Sequence, residues 1–268
     1  MIIYFTRFVG GVFKARRTIV ALASRQILSR YSGTLFRGIW EVAHPAVTIL
    51  LYWFIFSVAF KAKGPEGVPF IVYFITGMLP WMFFADGISN GTQGIISHSF
   101  LVKKTVFKSE LLPFVYLAES GLKHIVLMLI AVIVLVISGV RFSWYFIQLP
   151  YYFFVLCAFM IGLQWLLSSV NVFHRDIGQI VNIVLTVWFW ATPIVWVVKG
   201  FIPPQYEWLL FINPICYIIE GYRLSLVYHK PLWNHWQQGL YVWGLLIVVV
   251  GAGAQVFRRL KPHFGDVL

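Results

Sequence analysis

The 268-residue sequence predicts an all-α integral membrane protein. Six transmembrane helices, an amphipathic interfacial helix at the N-terminus and short re-entrant helices between spans five and six make up the expected architecture. Three observations carry that prediction. Hydrophobic residues form 60% of the chain and aromatic residues 19%, at a mean hydropathy of +0.82. Charged residues form only 11%, against about 25% in an average soluble domain, so much of the surface must face lipid. Lys and Arg number 21 against 9 Asp and Glu, a formal charge of +12. On so apolar a chain that excess marks the cytoplasmic segments of a membrane protein and their contact with anionic lipid heads, not nucleic-acid binding.

A helix needs about 20 apolar residues to cross a hydrocarbon core. The stretches 42–60, 70–89, 114–138, 144–170, 180–198 and 239–257 qualify. With the N-terminus inside, the cytoplasmic segments hold Arg7, Lys14, Arg16, Arg17, Arg25, Arg30, Arg37, Lys103, Lys104, Lys108, Arg175, Arg258, Arg259 and Lys261. The opposite side holds Lys61, Lys63, Arg141, Lys199, Arg223 and Lys230, while Lys123 falls inside a span. That asymmetry predicts a multi-pass protein of the cell inner (cytoplasmic) membrane with both termini cytoplasmic.

Residues 1–41 form the first unit. Ile2, Phe5, Phe8, Val9, Val12 and Phe13 recur at helical spacing with Arg and Lys between them, the pattern of a helix in the headgroup plane. The membrane domain runs from 42 to 257, and 258–268 is a cytoplasmic tail. Residues 199–238, on the outer side, are too long for a turn and too broken for a crossing. Pro203, Pro204, Pro214 and Pro231 interrupt Trp208, Phe211, Ile215 and Tyr217, which predicts short helices dipping part-way into the outer leaflet.

The chemistry-bearing motifs are sparse. No G-x-x-x-x-G-K-[ST] loop occurs, so ATP hydrolysis by this chain is not expected. H-E-x-x-H, C-x-x-C and G-x-S-x-G are also missing, and the histidines have no metal-ligand spacing. No enzyme activity, metal site or cofactor of its own is expected, and Cys157 and Cys216 receive no role. Asp86 reads as a helix-end carboxylate paired with a nearby cation in preference to a gating group, and Glu119–Lys123 as a structural i, i+4 pair. Glu220 and Arg223 either anchor the short outer helices or touch a substrate.

The aromatic residues say more. Tyr52, Phe56 and Phe60 recur at i, i+4, i+8 with Trp53 alongside. Trp188, Thr192 and Trp196 share one face of the fifth stretch, with Trp190 on another. Such stripes usually face lipid or neighbouring helices. The sharper reading is a channel of flat rings that stack on the C–H faces of sugars and let a polymer slide.

Arg30-Tyr31, then Gly38, Trp40 and Pro45 before an aromatic first span, resemble the N-terminal pattern of ABC type-2 polysaccharide-export permeases. Gly77-Met78-Leu79-Pro80-Trp81, Asn171 to Ile177, Pro193, Ile202-Pro203, Asn213-Pro214 and Glu220 to Arg223 extend the resemblance over almost the whole chain. One departure is Arg37, where the family pattern has glycine, with Gly38 one place later. The resemblance implies a membrane-spanning subunit that exports a lipid-linked polysaccharide such as O-antigen, capsule or teichoic acid. It implies a homodimer with two copies of a separate subunit that binds ATP and Mg. Residues 95–112 would then contain the coupling helix, with Ser97, His98, Phe100, Lys103 and Lys104 facing the ATPase. Arg25, Arg30 and Arg37 would meet the pyrophosphate of the lipid-linked glycan, and Tyr52, Trp53, Phe56, Phe60, Trp188, Trp190 and Trp196 its sugars. Two alternatives stay open: an ABC-2 exporter of a small hydrophobic compound or drug, and a membrane-embedded lipid-linked sugar transferase.

Overall fold

The structure, a computed structural model, describes residues 10–30, 39–104, 108–198 and 202–268. Every regular element among them is helical. In chain order these are α1 (Arg16–Arg30), α2 (Ile39–Trp53, continued by a wider turn Phe54–Ala59), α3 (Phe70–Ser97), α4 (Ser99–Lys104), α5 (Leu112–Ile137), α6 (Leu149–Phe173) and α7 (Ile177–Ala191). The short α8 (Trp208–Ile212) and α9 (Pro214–Arg223) follow, then α10 (Trp236–Leu260) and α11 (Phe264–Val267).

Four helical stretches among the described residues are long and apolar enough to cross a membrane: Phe70–Ser97, Ser109–Ile137, Trp144–Phe173 and Leu232–Val267. The bent pair Pro204–Ile212 and Pro214–Tyr228, folded by 94°, would make a fifth if counted as one span. Four of the six expected spans are thus long and apolar enough by themselves. The stretches at 42–60 and 180–198 form the shorter apolar helices Ala43–Ala59 and Ile177–Ala191. Fifteen residues of α7 rise only about 22 Å, short of a hydrocarbon core of about 30 Å.

The early end of α7 has a local cause. Pro193 has no N–H to donate and pushes Thr192 out of the helical region, to φ −108° and ψ 134°. The chain restarts in the short α8 and, after a bend of 94°, in α9. Asn213 caps that helix with its Oδ1 accepting from the Ile215 N–H at 3.0 Å, and Pro214 occupies the first position, where its lost N–H costs nothing.

Helix α3 is the central post of the molecule. Most of its surface is buried against α5, α6, α7 and α9, whereas most of α10 faces outwards. Val72, Phe74, Ile75, Leu79 and Phe84 of α3 meet Ala131 and Leu135 of α5, and Leu156 and Met160 of α6. Small residues permit the closest approach, between α6 and α10: a Cβ on Gly253 would collide with the carbonyl of Gly162. With lipid as apolar as leucine, such backbone contact is what holds helices together in a bilayer.

At the N-terminal end, α1 lays Ile19 and Ala23 against Leu111 and Val115. Residues 1–9, most of the expected amphipathic stripe, lie outside the described residues, so Ile2, Phe5, Phe8 and Val9 do too.

Candidate functional site

The aromatic residues of the first and fifth apolar stretches meet, but only in part. Lys61 takes the left-handed conformation (φ 51°) after α2, and Ala62 donates its N–H back to the Phe56 carbonyl at 2.8 Å. That fold-back places Ala62 and Lys63 beside Phe56, Phe60 and Phe70, across from Val195, Trp196 and Val197. Together they line a cleft of about 350 Å³. Its rings are ordered: Phe56 stacks on Phe70 at 6.0 Å and on Tyr52 at 6.3 Å, with Phe60 5.8 Å away. Flat apolar rings bordered by one lysine suit a ligand with both C–H faces and polar groups.

Of the seven expected channel aromatics, Phe56, Phe60 and Trp196 line this cleft. Tyr52 lies behind it, against Phe74 and Phe189 at 6.0 and 5.7 Å. Trp53 is half-buried and Trp190 exposed, and neither lines the cleft. Trp188 turns inwards, its ring edge-on to Phe84 at 5.2 Å. Its Nε1 donates to the Asn213 Oδ1 at 2.9 Å, and the Asn213 amide donates to Thr192 Oγ1 at 3.0 Å. The shared face inferred for Trp188, Thr192 and Trp196 fails because the helix ends between them.

The wall carrying Trp196 is held by Arg223, which the sequence had marked, and by Tyr73, which it had not. Breaking α7 strands carbonyls that would otherwise accept helical hydrogen bonds. Arg223, only 2% exposed, donates from Nη2 to the Pro193 carbonyl at 2.8 Å and to that of Tyr73 at 3.3 Å. Its guanidinium carbon sits 3.6 Å from the centroid of the Tyr73 ring. Tyr73 in turn donates its hydroxyl to the Trp196 carbonyl at 2.9 Å. Glu220 lies 3.8 Å from Nη1. Gly77 leaves the space: a Cβ there would fall 2.8 Å from Nη2. So Glu220 and Arg223 form an anchor of the outer segment. The available signals were Gly77 in its motif and a lone arginine in an apolar stretch.

The ionisable groups inside the apolar helices are paired. Lys123 places Nζ 3.0 Å from Asp86 Oδ2 and 3.6 Å from Glu119 Oε1, which joins two expected features into one triad. Asp86 lies well inside α3, not near its end, and accepts from Asn90 Nδ2 at 2.8 Å. Ser89 donates to Asn182 Oδ1 at 2.6 Å. The motif residue Asn171, fully buried, donates to the Thr92 carbonyl at 3.0 Å and accepts from the Gly178 N–H at 3.0 Å, fastening the α6–α7 corner to α3.

At the opposite end from the cleft, His98 breaks α3 from α4, and its Nδ1 lies 3.1 Å from the Gly94 carbonyl and 3.2 Å from the Tyr116 hydroxyl. Ser97, Phe100 and Lys103 are exposed, Phe100 at 64%, while Val102 faces a cluster of Ile95, Leu112, Trp165, Phe257 and Phe264. The segment 258–268 is no loose tail. Helix α10 runs on to Leu260, Phe264 is buried in that cluster, and Lys261 pairs with Glu110. Lys104 has no described side chain. Arg25 is exposed on α1, whereas the Arg30 side chain and all of Arg37 lie outside the described residues, as do Tyr31 and Gly38.

Comparison with known proteins matches this arrangement to one family. The family model described as ABC-2 type transporter matches residues 17–227. Two proteins of Klebsiella pneumoniae named O-antigen export system permease protein RfbA are 26% and 27% identical over 252 residues, covering 93% of this chain and 94% of theirs. One of the same name from Myxococcus xanthus is 24% identical over 267 residues, covering 97% and 98%. The resemblance to polysaccharide-export permeases seen in the motifs is thus borne out, and the chain belongs to the ABC-2 type transporter family of membrane proteins.

Proposed function

We propose that this chain is the membrane-spanning permease subunit of an ABC transporter that exports a lipid-linked polysaccharide of the O-antigen kind across the cytoplasmic membrane. ATP and its Mg are bound and hydrolysed by a separate subunit, because this sequence has no phosphate-binding loop. The observation that carries the substrate class is the cleft of Phe56, Phe60, Phe70 and Trp196. Pyranose rings present C–H faces that stack on such rings without strong directional bonds, so a long chain can advance residue by residue. Relatives named for O-antigen export support the same reading.

Two copies of the chain, with two of the ATPase, enclose the path. Helix α2 with its extension and α7 with residues 192–198 complete six crossings, both termini are cytoplasmic, and the outer pair α8 and α9 is re-entrant. The exposed side of α4, with Ser97, Phe100 and Lys103 around it, docks on the ATPase and passes its motion to α3 and α5. Arg25, Arg30 and Arg37 receive the pyrophosphate of the lipid carrier, since an Arg fork matches phosphate oxygens in two-point geometry.

The test is deletion of the chain in a cell that makes a surface glycan, followed by localisation of the lipid-linked polymer. Polymer held at the cytoplasmic leaflet, and released by re-expression, is the expected result. Normal glycan on the outer surface of the deletion strain would overturn the reading. Affinity purification from native membranes should also bring down a phosphate-loop ATPase in one-to-one ratio.

A further inference from the structure

A second group of polar side chains lies on α3 and α7, away from the cleft lining. Helix α7 buries a single narrow stripe, Gly178, Val181, Leu185 and Phe189, against the rest of the molecule. The remainder of its surface is split by chemistry. At 3.6 residues per turn, Gln179, Asn182, Thr186 and Trp190 fall within an arc of about 80°, and all four are exposed. The neighbouring arc carries Ile180, Ile183, Val184 and Val187, also exposed. The apolar arc suits lipid or a second copy of the chain. The polar arc does not suit lipid, because an amide left against hydrocarbon costs several kcal/mol.

That polar arc does not stand alone. Asp86, Ser89, Asn90 and Gln93 repeat at helical spacing along α3 and are all half-exposed. Ser89 joins the two stripes through its bond to Asn182. The carboxylate on the α3 stripe is already answered by Lys123, which Glu119 also approaches, so the surface offers neutral amides and hydroxyls beside an ion-paired triad. Towards the outer end the α7 arc reaches Trp190, whose carbonyl holds the Trp196 indole of the aromatic cleft at 3.0 Å.

We propose that Asp86, Ser89 and Asn90 of α3 with Gln179, Asn182 and Thr186 of α7 form a wetted polar station that hydrogen-bonds the hydroxyl groups of the sugar chain on its way to the cleft. Each sugar hydroxyl both donates and accepts, and a side-chain amide does the same without desolvating a full charge. This inference rests on the exporter reading and adds a binding site to it.

The test uses the complete complex in inside-out vesicles and a membrane-impermeant, water-soluble maleimide as the probe. Asn182→Cys should react above the background of the parent chain, because maleimides attack the thiolate, which needs water. Ile183→Cys, on the apolar arc, should not. In cells, Asn182→Leu should lower glycan export on the order of tenfold, from one lost hydrogen bond and one stranded partner, while Asn182→Gln retains most of it. Membrane level and ATPase co-purification should stay unchanged in both. An Asn182→Cys thiol as inert as that of Ile183→Cys overturns the station, as does full export by Asn182→Leu. Quantitative Asn182→Cys disulfides between copies would also overturn it, by making the arc a subunit contact. Failure of the deletion test would remove the exporter reading instead, while maleimide reactivity would still report whether the arc is wet.

Discussion

The two ends of α7 solve opposite problems. At the outer end the helix breaks at Pro193, and the groups around the break find fixed partners: Arg223 takes the Pro193 carbonyl, Tyr73 that of Trp196, and Asn213 the Trp188 indole and the Thr192 hydroxyl. At the other end the backbone is regular, and Asn182 and Thr186 stay exposed although Asn182 accepts from Ser89 and Thr186 donates to the Asn182 carbonyl. A wall that must keep its shape is over-determined by buried hydrogen bonds. A surface that must meet successive, differing groups keeps its side chains accessible. On the proposed reading, irregular backbone in this protein is structural and the regular helix carries the adaptable contacts.

The largest expected effect attacks the fixed end. Arg223→Met keeps most of the side-chain volume but removes the donors to Pro193 and Tyr73, leaving carbonyls and Glu220 without their buried cation. A loss on the order of 3 kcal/mol should follow, read as a lower Tm in detergent, with Arg223→Lys intermediate because it keeps charge without the planar fork. Unchanged Tm in Arg223→Met would mean that the break is stable by itself.

A finer comparison sets two tryptophans of one wall against each other. Trp188→Phe keeps a ring against Phe84 and deletes only the donor to Asn213, so Tm should fall by the equivalent of about 1 kcal/mol. Trp196→Ala removes a cleft ring instead and should lower export more than it lowers Tm. The reverse pattern would place the working surface on the inner tryptophan.

The smallest effect concerns the cytoplasmic face, where Lys261 pairs with Glu110 at partial exposure and Phe264 backs the cluster that receives Val102. Glu110→Lys should cost under about 1 kcal/mol in stability, as exposed pairs do, yet reduce the export obtained per ATP hydrolysed. Adding Lys261→Glu should restore the ratio. No recovery in the double variant would mean that the pair does not support the coupling segment.

Much of this organisation was legible in the chain. Apolar runs and basic flanks identify membrane helices because lipid imposes length and polarity on each helix separately. Pro193 and Pro214 likewise announce breaks through local sterics. What the linear pattern could not supply was the direction of each side chain. Tyr52, Phe56 and Phe60 keep successive ring contacts because α2 and its extension carry them without a break, whereas the break between Trp188 and Trp196 resets the register. Asp86 appeared apart from the Glu119–Lys123 pair because the ion pair joining it to Lys123 spans two helices.

Composition, helix spacing and ordered motifs thus carried the membrane class, the helical architecture and the family, all of which depend on short-range patterns and on the solvent. Packing alone decided that Arg223 is buried over Tyr73, and that the C-terminal segment closes over the cluster that receives Val102. Those outcomes depend on which surfaces meet across long chain separations, and no local periodicity encodes that.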